Sequence, residues 1–230
     1  MDRIVILTGA GISAESGLST FRDKDGLWAK YDLSAVATPQ GFRKNPCQVL
    51  EFYNMRRAVV SRARPNDAHF ALARLQRHYK GEVALITQNT DNLHEKAGST
   101  RVTHIHGMIT SALCSDCGNV WPAPTVMKES DPCPKCHRSS TRPNVVWFGE
   151  IPYHLDKVEE LLTAADLFVS IGTSGQVYPA AGFAEEAARY GAATLELNLE
   201  ASSNSQVFDT RVFGLATETV PAWVDELLGQ

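Results

Sequence analysis

Short apolar runs, each ending at glycine or at small polar residues, recur along this chain with amphipathic stretches between them. Arg3-Ile4-Val5-Ile6-Leu7-Thr8 stops at Gly9, and similar runs are Val83–Thr87, Val145–Phe148, Leu167–Ile171 and Ala193–Leu197. Apolar runs without polar alternation suit strands buried on both faces, and such strands belong to parallel sheets covered by helices. The intervening segments supply those helices. After Pro65-Asn66, residues Ala68, Ala71, Leu72, Leu75 and Tyr79 fall on one helical face; Leu155, Val158, Leu161 and Leu162 form a second stripe, and Pro179 to Tyr190 closes at Gly191. The expectation is an α/β fold: an open, mostly parallel sheet with all five runs as central strands and helices on both faces.

Two stretches break this alternation. Residues 24–64 hold no convincing strand, and residues 108–142 carry prolines, polar residues and the pairs Cys114-x2-Cys117 and Cys133-x2-Cys136. Both read as insertions that form a smaller module beside the sheet. Two such knuckles separated by fifteen residues fit a tetrahedral four-cysteine zinc site. Four sulfur ligands leave the metal no open position, so it is structural and the chemistry lies elsewhere. Paired disulfides are the alternative. Cys47 stands apart and is expected to be a buried small hydrophobe.

A 43% apolar and 21% charged composition is that of a globular protein with ample core. The net charge of -4 argues against broad nucleic-acid or anionic-membrane binding. No apolar stretch is long enough to span a bilayer, and the start, Met1-Asp2-Arg3, leads straight into a strand without a signal-peptide pattern. A cytoplasmic location is expected.

Candidate chemistry gathers at the strand ends, where α/β sheets hold ligands. Gly9-Ala10-Gly11-Ile12-Ser13-Ala14 fits G-x-G-x-x-A, in which glycines permit a tight turn and bring backbone amides to a pyrophosphate at a helix start. The motif alone is weak. Thr87-Gln88-Asn89-Thr90-Asp91-Asn92-Leu93-His94 is dense in amides and carboxylate that suit a ribose and a carboxamide, although an Asx-rich helix cap would use the same residues. His106 is a candidate catalytic residue beside Gly107, which leaves room for a ligand to approach the backbone; a satisfied core histidine is the alternative. Gly172-Thr173-Ser174 and Asn198-Leu199-Glu200 end two further strands and read as cofactor loops, with a helix cap as the alternative for Asn198 and Glu200. After the helix start Asn45-Pro46, residues Val49, Tyr53, Arg56 and Val60 share a face. An arginine in an apolar stripe calls for an anion, and a tyrosine three residues away offers a second donor; the alternative is an arginine reaching solvent or paired with an acidic residue of the chain.

Taken in order, Gly9–Ser13, Phe21-Arg22-Asp23, Thr87–Asp91, His106-Gly107, the four cysteines, Pro143–Glu150, Gly172–Ser174 and Asn198–Glu200 resemble the sirtuins over nearly the whole chain. Thr90 and Asn92 depart from the usual pattern of the polar run, but its key polar positions remain. The resemblance implies a Rossmann-like NAD-binding domain, residues 1–23, 65–107 and 143–230. It also implies a small domain made of a helical insertion, 24–64, and a zinc ribbon, 108–142. It implies that Gly9, Ala10, Gly11, Ile12, Ser13, Phe21, Arg22, Asp23 and Trp28 surround the NAD phosphates and nicotinamide ribose, and that Gln88, Asn89 and Asp91 hold the nicotinamide end. Gly172, Thr173, Ser174, Asn198, Leu199, Glu200 and Ala216 would complete the cofactor site.

By the same resemblance His106 is the general base, assisted by Asn89 and Asp91, and Val177-Tyr178 lies against an acylated protein substrate. The implied activity is removal of lysine acyl groups with NAD consumed, yielding nicotinamide and O-acyl-ADP-ribose, with one structural zinc. Tyr53 and Arg56 resemble the pair of class III sirtuins, which take acidic acyl groups such as succinyl and malonyl, and Ala37 matches their small pocket residue. Acetyl removal is expected beside it. Competing readings are a protein mono-ADP-ribosyltransferase on this scaffold and a non-catalytic NAD-sensing adaptor. A conventional dehydrogenase lacks its acidic residue after a clear second strand.

Overall fold

The computed structural model describes residues 2–20 and 31–229; the expected contacts of Phe21, Arg22, Asp23 and Trp28 lie outside them. The strands are β1 (Arg3–Thr8), β2 (Glu82–Thr87), β3 (Val102–His104), β4 (Gly107–Cys114), β5 (Val120–Pro122), β6 (Thr141–Val145), β7 (Leu167–Ile171), β8 (Ala193–Asn198) and β9 (Thr210–Phe213). The helices are α1 (Gly11–Ala14), α2 (Leu33–Val36), α3 (Pro39–Lys44), α4 (Pro46–Arg62), α5 (Asp67–His78), α6 (Leu93–Lys96), α7 (Leu155–Thr163), α8 (Phe183–Arg189) and α9 (Ala216–Leu228).

A six-stranded sheet runs β3-β2-β1-β7-β8-β9, and every neighbouring pair is parallel. The chain adds β2 and β3 on one side of β1, then returns to place β7 on the other. The order therefore reverses between β1 and β7, and the crevice beyond their carboxyl ends is where such sheets bind ligands.

β1 shows why this order is stable. Ile4 and Ile6 pack on one face with Ala68, Leu72 and Leu75 of α5 and Val220 and Val224 of α9. Val5 and Leu7 pack on the other with Val158 and Leu162 of α7 and Phe183 and Ala187 of α8. Each fully buried aliphatic side chain contributes roughly 1.5–3 kcal/mol, enough to commit an unbroken apolar run to the sheet centre. β9 has no such run and all four of its residues are exposed, so periodicity did not announce it.

Caps set the helix starts. Asn66 accepts the Ala68 amide and forms a capping box with His69, and Asn45 accepts the Gln48 amide with Pro46 following.

The remaining strands form an antiparallel sheet, β5-β4-β6. It takes up Val145 rather than leaving it to the large sheet: β6 pairs with β4, and Trp147 and Phe148 lie beyond it. The expected central strand Val145–Phe148 is thus wrong. Its hydrophobicity serves another core, in which Val145 and Trp147 pack with Val36, Val49, Phe52, Tyr53 and Ile109. Buried Arg57 of α4 adds a polar tie, donating to the Ile109 carbonyl at 2.8 Å and to Asn54 Oδ1 at 2.8 Å. Cys47 also corrects expectation: it is exposed, and its thiol donates to Glu129 at 3.6 Å.

Candidate active site

The loops after β1 and β7 meet through their glycines. A Cβ on Gly9 or Gly11 would lie 2.7 Å from Gly172 backbone, and one on Gly172, whose φ is +62°, would lie 2.5 Å from the Ile12 amide. Gly9 N donates to the Ile171 carbonyl and Gly11 N to the Gly172 carbonyl. These glycines are therefore required first for loop-to-loop packing, which seats the short α1 at the crevice. Gly107 corrects its sequence reading in the same way: its Cβ space belongs to the Asn144 carbonyl, 2.2 Å away, and not to a ligand.

Asn89 and Asp91 are buried beneath this junction. Asn89 Nδ2 donates to the Gly9 carbonyl at 3.0 Å and to Ser13 Oγ at 3.3 Å, while the Asn89 amide donates to Thr87 Oγ1 at 3.0 Å. Among the described residues no donor reaches Asn89 Oδ1. Ser13 Oγ donates to Asp91 Oδ2 at 3.1 Å, and the Leu93 amide donates to Asp91 Oδ1 at 3.0 Å. Burial pushes the Asp91 pKa up, and those two hydrogen bonds oppose the rise. The polar run is thus both things the sequence allowed: Asp91 accepts the first amide of α6 from the residue before its cap, Asn92, and the same turn builds the crevice floor.

His106 occupies the turn between β3 and β4, half-buried, with Nδ1 3.0 Å from the Gln88 carbonyl. A carbonyl only accepts, so Nδ1 carries the proton and Nε2 keeps its lone pair. Burial holds its pKa below the ordinary histidine value, against the opposing Gln88 hydrogen bond, so the ring is neutral at pH 7.

Beyond β7 and β8, the candidate cofactor residues divide. Thr173 and Asn198 face inward: Thr173 Oγ1 lies 2.8 Å from Ser170 Oγ, and Asn198 Nδ2 donates to the Thr173 carbonyl at 2.8 Å. They brace the two loops against each other. Leu199 and Glu200 are exposed, and Ala216 opens α9, whose second residue, Thr217, donates its amide and hydroxyl to Glu15. Tyr178 is exposed and Val177 half-buried on the loop following β7.

Tyr53 and Arg56 lie on α4 in the smaller core. Trp147 Nε1 donates to Tyr53 Oη at 2.9 Å, so the phenol keeps its own proton for another acceptor. Burial raises the Tyr53 pKa despite the opposing charge of Arg56, which keeps that proton in place at neutral pH. The Arg56 guanidinium lies 5.8 Å from the centres of the Phe52 and Tyr53 rings; burial lowers its pKa, and Tyr53 and Asp91 oppose that shift.

The four cysteine sulfurs lie within 4.8 Å of one another, with Cys114–Cys136 at 3.6 Å and Cys117–Cys133 at 3.7 Å. A tetrahedral zinc with bonds of about 2.3 Å needs sulfur separations of about 3.8 Å, so the donor set fits the ion. Each knuckle ends in a left-handed residue, Gly118 or His137, and the Lys135 amide donates to Cys133 Sγ at 3.4 Å.

With this geometry in hand, comparison with known proteins is decisive. The Sir2 family model matches residues 9–179. The chain belongs to the Sir2 family. It is 57% identical over 232 residues to an NAD-dependent protein deacylase of Caulobacter vibrioides, covering 99% of this chain and 98% of that one. It is 52% identical over 231 residues to an NAD-dependent protein deacylase of Leishmania major, covering 98% and 95%. Among solved structures, a Sir2 homolog–NAD complex superposes with a TM-score of 0.90 at 40% identity, covering 98% of this chain and 89% of that one. A Sir2 complex with 2'-O-acetyl-ADP-ribose and a deacetylated p53 peptide gives 0.82 at 31% identity, covering 97% and 93%.

Sequence reasoning missed several buried polar residues that brace the elements around this crevice and the smaller core. His69, fully buried in the α5 capping box, lies 3.5 Å from Ser13 Oγ. Glu196 is fully buried on β8, where its carboxylate accepts from Asn198, the Ser202 amide and Ser205, and so shapes the loop that follows. Arg142 lies 3.5 Å over the Trp147 ring and pairs with Glu150 at 2.6 Å. A charged residue inside an otherwise apolar strand, Glu196, was the one legible signal.

Proposed function

We propose that this protein is an NAD-dependent protein lysine deacylase that removes acetyl and acidic acyl groups, succinyl and malonyl, from lysine side chains. The observation that carries the reading is His106: a neutral ring with Nδ1 tied to Gln88 and Nε2 unpartnered at the mouth of a crevice floored by Asn89 and Asp91. When bound, NAD supplies an electrophilic ribose carbon and nicotinamide as the leaving group. The α1 loop and the β7 and β8 loops would hold its phosphates and adenosine end, and Gln88, Asn89 and Asp91 its nicotinamide end. Asn89 Oδ1 is an open acceptor there. His106 Nε2 takes a proton from a ribose hydroxyl, work that a neutral imidazole is suited to at pH 7.

Tyr53 and Arg56 supply the acyl selectivity, a phenolic proton and a guanidinium for one carboxylate. Val177 and Tyr178 would line the path of the substrate peptide, consistent with an extended segment adding to an edge. We assign residues 1–23, 65–107 and 143–230 to the NAD-binding domain, and 24–64 with 108–142 to the small domain. The core shared by α4 and β4 supports grouping 24–64 with 108–142, and it also takes in Val145 and Trp147 at the start of the last stretch. Four thiolates holding one structural zinc suit a reducing, cytoplasmic setting. Among the described residues no helix is long and apolar enough to cross a membrane.

The test is incubation with NAD and matched acetyl-, succinyl- and unmodified lysine peptides, following peptide mass and nicotinamide. Loss of both acyl groups with equimolar nicotinamide is expected; retention of both would overturn the reading.

A further inference from the structure

The turn after β2 gives two consecutive carbonyls to two histidines. Gln88 O faces His106 Nδ1 at 3.0 Å, and Asn89 O faces His104 Nδ1 at 3.1 Å. The register of β2 with β3, which sets Thr87 opposite His104, produces this arrangement. The rings differ at their other nitrogen. His106 Nε2 has no partner among the described residues, whereas His104 Nε2 lies 2.7 Å from Glu95 Oε1 on α6. Carbonyl and ionised carboxylate both only accept, so His104 presents N–H at both nitrogens and is an imidazolium, 8% exposed.

We propose that Glu95 and His104 form a positioning pair for the deacylation: Glu95 holds His104 in its doubly protonated form, and His104 clamps the Asn89 carbonyl, fixing the turn that carries Asn89 and anchors His106. The inference rests on the proposed function, because its effect is read in turnover. Neither residue touches the reacting atoms. Loss of the clamp would free one side of a turn whose other side holds the general base, and misplacement of a reacting group by an ångström can cost about 100-fold in rate.

The electrostatics agree with this geometry. Burial alone would depress the His104 pKa, but the Glu95 hydrogen bond and charge, then the Asn89 carbonyl and Asp91, hold it above the ordinary histidine value. In return, the His104 charge opposes the burial that pushes Asp91 up. The titratable groups facing His104 are Glu95 and His94 on α6 and Asp91 in the turn; burial chiefly, then His69 and His104, hold His94 neutral. Lys157 of α7 bonds the neighbouring Thr103 hydroxyl at 3.0 Å. Because the His104 pKa is raised, the cation is present below it and is lost as pH rises through it. One nitrogen then turns a lone pair toward an acceptor, and the clamp opens.

Two measurements on the zinc-loaded full chain test this. In side-chain 15N spectra at pH 6.5, His104 is expected to be more than half doubly protonated and His106 protonated mainly at Nδ1. Glu95→Gln, which keeps an acceptor oxygen but removes the charge, should lower the His104 midpoint by about one pH unit. Its kcat with NAD and an acetyl-lysine peptide should fall about 10-fold at pH 8, with the alkaline limb moved to lower pH, KM for NAD changed less than about twofold and the acid limb unmoved. The pair is overturned if His104 is singly protonated at pH 6.5. An unchanged kcat and alkaline limb in Glu95→Gln, or a lower Tm with an unshifted pH profile, would also overturn it. Should the unaltered protein remove neither acyl group, the deacylase reading fails, and the spectra alone decide the pair.

Discussion

His106 serves as a base only while Nε2 is unprotonated and Nδ1 is held, and both conditions come from its surroundings. Gln88 fixes the tautomer, and burial lowers the pKa below 6.5. A base must be unprotonated to act, so the acid limb of kcat/KM should have its midpoint below pH 6.5; a midpoint above 6.5 would contradict the burial argument. Replacing the ring with His106→Ala should cost about 10^2 to 10^4 in kcat/KM, with the thermal melt nearly unchanged. Arg56 belongs to this scale too. A charge-assisted hydrogen bond contributes about 1.5–3 kcal/mol, so Arg56→Met should lower kcat/KM on a succinyl-lysine peptide by about 10- to 100-fold. The acetyl peptide should change less than about threefold, and equal losses on both would sink carboxylate recognition by Arg56.

Among the elements, the ribbon sheet has the least apolar core of its own. β4 contributes Ile109 to the core shared with α4, and in the neighbouring cluster Ala112 and Met127 are the buried ribbon residues beside Leu50, with Trp121 and Ala123 partly buried against them. The cysteine cluster, at the far end of β4 and opposite Thr141 of β6, must therefore hold the end of the sheet together. One zinc per chain should be released by a thiol-reactive mercurial and read with a chromogenic chelator. Cys133→Ala should abolish that zinc and expose the 108–142 stretch to proteolysis, while the parallel sheet persists in circular dichroism. A ribbon still protected without metal would show that packing alone suffices there.

Across the whole molecule, the sheet centre is tied to pH through buried histidines. Burial depresses His69 to about 4 from 6.5 and holds His94 well below 6.5. Below 6.5 the unfolded chain binds protons that the folded chain refuses, so stability falls as pH drops from 6.5 toward 4. At pH 5.5 the His69 ring alone should cost about 1 kcal/mol relative to pH 7, and His94 adds to the loss in the same direction. Urea unfolding at the two pH values should show the loss, and His69→Gln should remove the His69 share of about 1 kcal/mol; an unchanged slope would mean that His69 is not refusing the proton.

The apolar runs determined β1, β2, β7 and β8 because a strand buried on both faces has to be apolar throughout, and local composition records that. The cysteine spacing likewise determined the metal knuckles, since two thiolates three residues apart can reach one ion without help from the rest of the chain. Tertiary structure decided what local composition cannot hold. It sent Val145 and Trp147 to a second core, and it gave the space beside Gly9, Gly11 and Gly107 to neighbouring backbone rather than to a ligand. It also made one histidine neutral and its neighbour but one charged: His104 and His106 differ only in whether a carboxylate meets the second nitrogen, and that carboxylate arrives from α6 through the fold.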